Sequence, residues 1–319
     1  MQALYVLGKP IAHSKSPVFH NAALRAAGLP EVYAAREVDA PELAEVAEEI
    51  RQGRTLGCNV TLPHKEAAAS LADRRTPAVE ATGVANTWWL EQGELWADNT
   101  DIYGLQMSFA ALLGERLARR VVILGAGGAA LAAIYALAPV VEHLTLVNRT
   151  VAKAEEALER AASWFGQGVE LEAIEWSESA LDAVNARIQR ADLVIQASSI
   201  PVLQPGVRAP FEGLALGTLG SQGGALLELC YSNDATEPMR MAIDGGARAL
   251  DGATMLLHQG ARAFERWIGV RPQIETMRDA LAQALGRDRA LIAAEIPEHI
   301  RTLWGAPAPR EARCNLGGG

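Results

Sequence analysis

Four lysines stand against 25 arginines in this chain, and one of the four, Lys65, closes the run Asn59-Val60-Thr61-Leu62-Pro63-His64-Lys65. The bias carries chemical meaning. A guanidinium cannot give up its proton inside a protein, whereas an ammonium can be tuned to do so and serve as an acid or base. The β-like stretch from Gly57 to Leu62 leads into Pro63, whose fixed φ suits the first turn of a helix. Lys65 then faces the positive end of the macrodipole, an unfavourable place for a cation. Read alone, the segment also fits a solvated lysine beside a helix start. Other polar groups gather at element ends. Ser14 and Ser16 precede an amphipathic pattern from Val18 to Ala27, where hydroxyls and free N–H groups suit a carboxylate, or where Ser16 simply caps the helix. Gly83-Val84-Ala85-Asn86-Thr87 and Ala97-Asp98-Asn99-Thr100-Asp101 place further hydrogen-bonding groups at strand ends or turns. Asp101 stands just before a helical pattern from Ile102 to Leu113 and could be its N-cap.

A second chemistry is written further along. Arg119 to Leu124 is a buried-strand pattern running into Gly125-Ala126-Gly127-Gly128-Ala129-Ala130 and an Ala/Leu-rich helix to about Leu137. Strand, glycine turn and helix form a site for a dinucleotide pyrophosphate on a helix N-terminus, and Leu144 to Val147 supplies the next strand of a βαβ unit. An NAD site wants a carboxylate after that strand to accept from the ribose 2′-hydroxyl. This chain has Asn148-Arg149-Thr150 with Lys153 beyond, which favours the 2′-phosphate of NADP; surface basics at a helix start are the bland alternative. Strand patterns near Val169 to Trp176, Leu193 to Ala197 and Ala225 to Tyr231 continue an α/β alternation and complete a parallel sheet.

These groups need a scaffold of two domains, which 319 residues with 50% hydrophobic content can supply. The nucleotide fold starts only near residue 105, so the first hundred residues form a substrate domain. No apolar run reaches membrane length, and Met1 to Leu7 lacks the pattern of a signal peptide, so a cytoplasmic protein with no membrane partner is expected. Cys58, Cys230 and Cys314 lie far apart without a C-x-x-C pair, which indicates reduced thiols and neither a disulfide framework nor a metal site. A net charge of −9 without a basic run argues against nucleic acid.

The ordered set Gly8-x-Pro10-Ile11-x-His13-Ser14-x-Ser16-Pro17, Asn59-Val60-Thr61-x-Pro63-x-Lys65, Asn86-Thr87, Asn99-Thr100-Asp101, Gly125-Ala126-Gly127-Gly128-Ala129, Asn148-Arg149-Thr150 and Asp251-Gly252-x-x-Met255-Leu256-x-x-Gln259 resembles the shikimate dehydrogenase family, from about residue 3 to residue 285. The resemblance implies an α/β fold: an N-terminal α/β substrate domain plus a Rossmann-type dinucleotide-binding domain, with a cleft between them. It implies residues 1–103 as substrate domain, completed by C-terminal helices at about 240–287, and residues 104–239 as NADP domain. A C-terminal extension, 288–319, holds a helix from Ala290 to Leu303 and a partly disordered end. The implied reaction is NADPH-dependent reduction of 3-dehydroshikimate to shikimate, reversible, in chorismate and aromatic amino-acid biosynthesis, by a monomer or homodimer.

The implied roles follow position by position. Ser14 and Ser16 hold the substrate carboxylate, Thr61, Asn86, Asp101 and Gln259 bind ring hydroxyls, and Tyr231 lies close to the substrate. Lys65 is the acid/base, paired with Asp101, and no metal is needed. The cofactor side uses Gly125, Ala126, Gly127, Gly128, Ala129, Asn148, Arg149, Thr150 and Lys153, with backbone near Leu229 and Gly252. The chain departs from the family pattern where Gln196-Ala197-Ser198 replaces Asn-Ala-Thr and where Glu228 replaces an Asp. Asp234 to Met239 carries an acidic insertion, and Trp88-Trp89 reads as packing. A relaxed quinate/shikimate or aminoshikimate dehydrogenase using NAD is the nearest alternative. A non-catalytic metabolite sensor is the alternative from another class, and an intact Lys65 and Asp101 argue against it.

Overall fold

A computed structural model describes residues 2–198, 200 and 210–305. The chain forms two compact units: one takes in the residues up to Gly104 and Leu256–Ala294, the other Leu105–Met255 and the chain from Glu295.

In the first unit, strands β1 (Ala3–Gly8), β2 (Val32–Glu37), β3 (Thr55–Val60), β4 (Arg74–Arg75), β5 (Thr87–Glu91) and β6 (Glu94–Asp98) form one sheet in the order β2-β1-β3-β5-β6-β4. The first three strands are parallel, joined through helices Ser16–Ala26 and Ala40–Arg51. The second helix starts where its sequence says it should, on a capping box between Asp39 and Glu42. β5 then runs antiparallel to both β3 and β6, and the β5–β6 hairpin closes at Gln92 and Gly93, both at positive φ as a tight hairpin turn requires. This reversal has a positional consequence. Asn59 pairs with Thr87 and Thr87 with Asp98, so the end of β3, the start of β5 and the end of β6 lie side by side. Thr61, Asn86 and the Asp98-to-Asp101 turn therefore emerge at one end of the sheet.

Leu7, Val46, Ile50, Val60, Trp88 and Leu95 belong to the core beneath that sheet. Trp88 is fully buried with its indole N–H on the Ala68 carbonyl at 2.9 Å, a packing role. Helix Gly252–Ile268 docks onto the sheet through its last turns: Trp267 donates to the Trp88 carbonyl at 2.9 Å, and a Cβ on Gly57 would come within 2.4 Å of the Trp267 ring. Gly57 is the residue that permits this approach.

Several local expectations are corrected. Ser16 is the first residue of its helix, with Lys15 as N-cap, and makes no capping bond. The helix carrying Lys65 begins at Lys65 itself, Lys65–Leu71, so Pro63 sits in the turn before it. Asp101 lies within helix Thr100–Leu113, because the Thr100 N–H is taken by the Asn86 side chain and the helix starts two residues earlier.

The second unit holds β7 (Arg120–Leu124), β8 (His143–Asn148), β9 (Glu170–Glu175), β10 (Leu193–Gln196), β11 (Ala225–Glu228) and β12 (Arg248–Leu250). All are parallel, in the order β12-β11-β10-β7-β8-β9, which is the doubly wound order of dinucleotide-binding sheets. β12 corrects the expectation that Ala225 to Tyr231 completes the sheet and that the chain leaves near residue 240. Arg248, Ala249 and Leu250 add a ladder to β11, which keeps the chain in this unit to Met255. The expected helix from Ala290 to Leu303 is instead a 3₁₀ turn, Arg289–Leu291, and a short helix, Glu298–Leu303, since Pro297 has no N–H to continue a helix through it. Trp304 follows, 2% exposed, packed 5.4 Å from the Phe109 ring with its N–H on the Gly114 carbonyl. Residues 306–319, where a disordered end is expected and where Cys314 lies, are outside the described residues. Among the described residues no helix is long and apolar enough to cross a membrane.

One buried group makes the first unit sensitive to acid. The His20 ring stacks on Tyr33 with centroids 4.3 Å apart, near Phe19 and Trp267, and neither ring nitrogen has a partner. Burial pushes its pKa down from 6.5 to about 3. The folded protein thus keeps His20 neutral while the unfolded chain binds a proton below pH 6.5, so stability is lost as pH falls from 6.5 toward 3. The slope from this one group is up to about 1.4 kcal/mol per pH unit. We expect His20→Leu to show a shallower acid limb than wild type in urea unfolding at pH 7, 5.5 and 4.5. Parallel limbs would show that His20 does not control acid stability.

Candidate active site

The Lys65 ammonium lies 2.5 Å from Asp101 Oδ2, with the two side chains 18% and 10% exposed. Lys65 opens a helix next to the β3 end and Asp101 sits in the first turn after β6, so the sheet reversal described above is what joins them. The other carboxylate oxygen, Oδ1, accepts from Asn86 Nδ2 at 2.8 Å. Asn86 in turn is fixed on every side. Its Oδ1 accepts from the Thr100 N–H at 2.8 Å, the Thr100 hydroxyl at 3.1 Å and the Thr87 hydroxyl at 3.0 Å. Its amide also donates to Gln259 Oε1 at 3.3 Å. Gln259 is brought from helix Gly252–Ile268, and the Thr100 hydroxyl lies 3.5 Å from the same oxygen. An ammonium with an oriented carboxylate can deliver or take a proton, and its charge can stabilise a developing oxyanion.

The network continues to the serines. Thr87 Oγ1 accepts from Asn59 Nδ2 at 3.0 Å, Asn59 Oδ1 accepts from the Tyr33 hydroxyl at 2.7 Å, and Ser16 stands beside that hydroxyl. Burial holds the Tyr33 phenol well above its ordinary range, so it stays a neutral donor. Ser14 Oγ accepts from the Ser16 N–H at 3.3 Å. Thr61 is tied to β1 through its N–H on the Leu7 carbonyl. The sequence-predicted Ser14, Ser16, Thr61, Lys65, Asn86, Asp101 and Gln259 thus all fall in the first unit, and a chain of hydrogen bonds links Tyr33, beside Ser16, to Lys65. Sequence reasoning missed Tyr33, which sits on a strand with no motif around it. It quoted Asn59 within a motif but gave it no role.

In the second unit, β7 ends at Gly125, with φ +111° and its N–H on the Val147 carbonyl. A Cβ there would stand 2.9 Å from the Ser198 nitrogen, so only glycine fits. A Cβ at Gly127 or Gly128 would meet nothing within 4 Å, so the turn leaves open space in front of helix Gly128–Leu137, whose first turn carries no acidic residue. The first N–H groups of that helix are free for an anion. At the end of β8, Asn148 Nδ2 donates to the Thr150 carbonyl, while Arg149 and Lys153 are exposed and meet no carboxylate among the described residues. Gly252 donates to the Cys230 carbonyl at 3.0 Å and lies against Leu229, and Tyr231 is half-buried. The donor set fits a phosphorylated dinucleotide.

Gln196 and Glu228, the two departures at the β10 and β11 ends, meet each other: Gln196 Nε2 donates to Glu228 Oε1 at 3.2 Å. The Cys230 N–H and the Thr236 hydroxyl also donate to Glu228, yet burial dominates and pushes its pKa up to about 7. A cavity of about 620 Å³ lies elsewhere in this unit, over the starts of β7, β8 and β9. Its charged lining is largely self-paired, Arg187 on Glu172 and His143 on Glu170, and it lies at the strand ends opposite the glycine turn. Among the described residues no group of three or more His, Cys, Asp and Glu could hold a metal.

The chain is similar to known proteins over most of its length. The shikimate dehydrogenase substrate binding domain matches residues 6–88, and the shikimate 5′-dehydrogenase C-terminal domain matches residues 252–282. The shikimate dehydrogenase (NADP(+)) of Brucella abortus (strain S19) is 34% identical over 290 residues, 90% of this chain and 96% of the relative. That of Sinorhizobium fredii (strain NBRC 101917 / NGR234) is 38% identical over 287 residues, 87% of this chain and 93% of the relative. The crystal structure of shikimate 5-dehydrogenase from Thermus thermophilus in complex with shikimate has a TM-score of 0.74 at 30% identity, covering 90% of this chain and 100% of that one. With sequence and fold alike over nearly the whole length, the chain belongs to the shikimate dehydrogenase family.

Proposed function

We propose that the protein catalyses the reversible, NADPH-dependent reduction of 3-dehydroshikimate to shikimate, in the cytoplasm and in the biosynthesis of chorismate and the aromatic amino acids. The observation that carries this reading is the largely buried Lys65–Asp101 pair with Asn86 locking the second carboxylate oxygen. NADPH, when bound, supplies the hydride that reaches the ring carbonyl carbon. The chain's own residues handle the proton and the positioning. Lys65 donates its proton to the carbonyl oxygen as negative charge develops there, and Asp101 keeps the ammonium aimed until that moment. In the reverse direction the neutral amine takes the hydroxyl proton. Asn86 spends both amide hydrogens on Asp101 and Gln259, so its contribution to hydroxyl binding is to orient those two acceptors. Thr61 completes the hydroxyl set, and Ser14 and Ser16 hold the carboxylate, with Tyr33 behind Ser16 as a fixed neutral partner.

On the nucleotide side, Gly125, Ala126, Gly127, Gly128 and Ala129 would hold the pyrophosphate, and backbone near Leu229 and Gly252 would line the nicotinamide end beside Tyr231. Arg149, Lys153, Thr150 and Asn148 would hold the 2′-phosphate. The relatives named as NADP(+) enzymes support this choice of cofactor.

Three experiments test the reading. Lys65→Ala should lower turnover at least ~100-fold, the low end of acid–base contributions, while NADP affinity stays within about twofold. Lys65→Arg should fail equally, since a guanidinium cannot yield its proton. Retention of more than about a tenth of wild-type turnover would remove Lys65 from the chemistry.

Ser14→Ala with Ser16→Ala should raise KM for shikimate by at least ~10-fold with little loss of kcat, because a remote carboxylate is bound alike in ground and transition states. Methyl shikimate should be a poor substrate for wild type and lose little more in the double variant. Equal losses for acid and ester would refute the carboxylate assignment.

Wild type should prefer NADP to NAD, and Arg149→Asp should erase or reverse that preference. The preference should weaken as salt rises, since Arg149 and Lys153 are exposed. Equal catalytic efficiency with both nucleotides in wild type would favour the relaxed quinate/shikimate enzyme, which parallel assays with quinate would identify.

A further inference from the structure

The turn that delivers Asp101 to Lys65 begins at Asp98, the last residue of β6, and Asp98 is itself saturated. Its Oδ1 accepts from the Asn99 N–H at 2.8 Å and the Thr76 hydroxyl at 2.9 Å. Its Oδ2 accepts from Arg266 Nε at 3.0 Å and Nη2 at 2.8 Å. The pair is withdrawn from water, with the side chains 15% and 9% exposed. The Arg266 guanidinium also lies 5.0 Å over the ring of Trp89 on β5, the strand that follows Asn86. One side chain therefore touches both β6, whose end leads to Asp101, and β5, whose start follows Asn86. Arg266 is seven residues after Gln259 on the same helix, two turns along one face, so the helix grips the site at two points.

We propose that Arg266 is a positioning residue for the reaction: by holding the Asp98 carboxylate it fixes the turn carrying Asp101, and with it the pairing of Asp101 with the Lys65 ammonium. This inference rests on the proposed role of Lys65 only for its kinetic consequence, not for its geometric one. Without the guanidinium, Asp98 is a buried carboxylate lacking a counter-charge. The turn must then shift to let water reach it, and Asp101 moves with the turn.

The test reads geometry and rate separately. Lys65 is one of four lysines, so its labelling by an amine reagent can be followed by peptide mass mapping at fixed pH. In Arg266→Gln, checked for fold by circular dichroism and for NADP binding by nucleotide titration, we expect labelling of Lys65 to speed up at least ~3-fold and kcat to fall at least ~10-fold. NADP affinity should be unchanged. Arg266→Lys, which keeps the charge but not the two-pronged contact, should fall between. Asp98→Asn with Arg266→Gln, which removes both buried charges and can restore an amide contact, should recover part of kcat; it also serves if the single variant does not fold. A folded Arg266→Gln protein with wild-type labelling of Lys65 overturns the proposal, whatever its rate. Faster labelling with wild-type kcat instead upholds the positioning and sinks the catalytic role of Lys65.

Discussion

An ammonium taken out of water costs several kcal/mol unless a carboxylate meets it, and the carboxylate is as demanding in return. The first unit of this protein is arranged around that mutual requirement between Lys65 and Asp101. The two residues are 36 positions apart and on different helices, so no local preference brings them together. What does is a change of strand direction. β3 runs one way, β5 and β6 fold back and forth beside it, and the ends of all three line up in a single row, Asn59, Thr87 and Asp98. Asn86 then acts as the joint between row and pair, because one carboxamide can both accept from Thr100 and donate to Asp101. The low dielectric that makes the pair demanding also makes it effective, since a proton donor and a positive charge count for more where water is excluded.

The dependence on neighbours explains what could be read in the sequence. The glycine turn was legible because it is a local solution: strand, tight turn and helix N-terminus follow one another in the chain, and Gly125 has no substitute at φ +111°. Lys65 was legible through its rarity. Ser16, Asp101 and Gln259 were placed through a family resemblance and not through periodicity. Tyr33, which donates to Asn59, was invisible, since its role comes from burial across strands and a tyrosine on a strand is ordinary. The edge strand Arg248–Leu250 escaped notice for a related reason: three residues are too few to show alternation, and only pairing with β11 makes them a strand.

The second unit handles charge differently from the first. The β8 end presents Arg149 and Lys153 to solvent with no carboxylate to neutralise them among the described residues, in a chain with net charge −9. Several arginines of this unit are paired, Arg187 on Glu172, Arg119 on Glu142 and Arg240 on Glu237, while Arg120, Arg160, Arg190 and Arg248 meet no carboxylate among the described residues. What distinguishes the β8 end is that two exposed cations, Arg149 and Lys153, follow directly on the strand, a placement that suits recognition of a second phosphate.

The contact between Gln196 and Glu228 has an evolutionary reading. Each side chain is one methylene longer than the Asn and Asp that the family resemblance leads one to expect there, and the two are joined inside the unit by a direct hydrogen bond. Shortening either alone leaves a buried donor or a buried acid reaching for a partner that has withdrawn, whereas changing both keeps the contact within a rebuilt span. The two positions are thus epistatic: a lineage crossing between the short and long pairs passes through a penalised intermediate. A chimera or ancestral reconstruction in this family should carry both residues or neither.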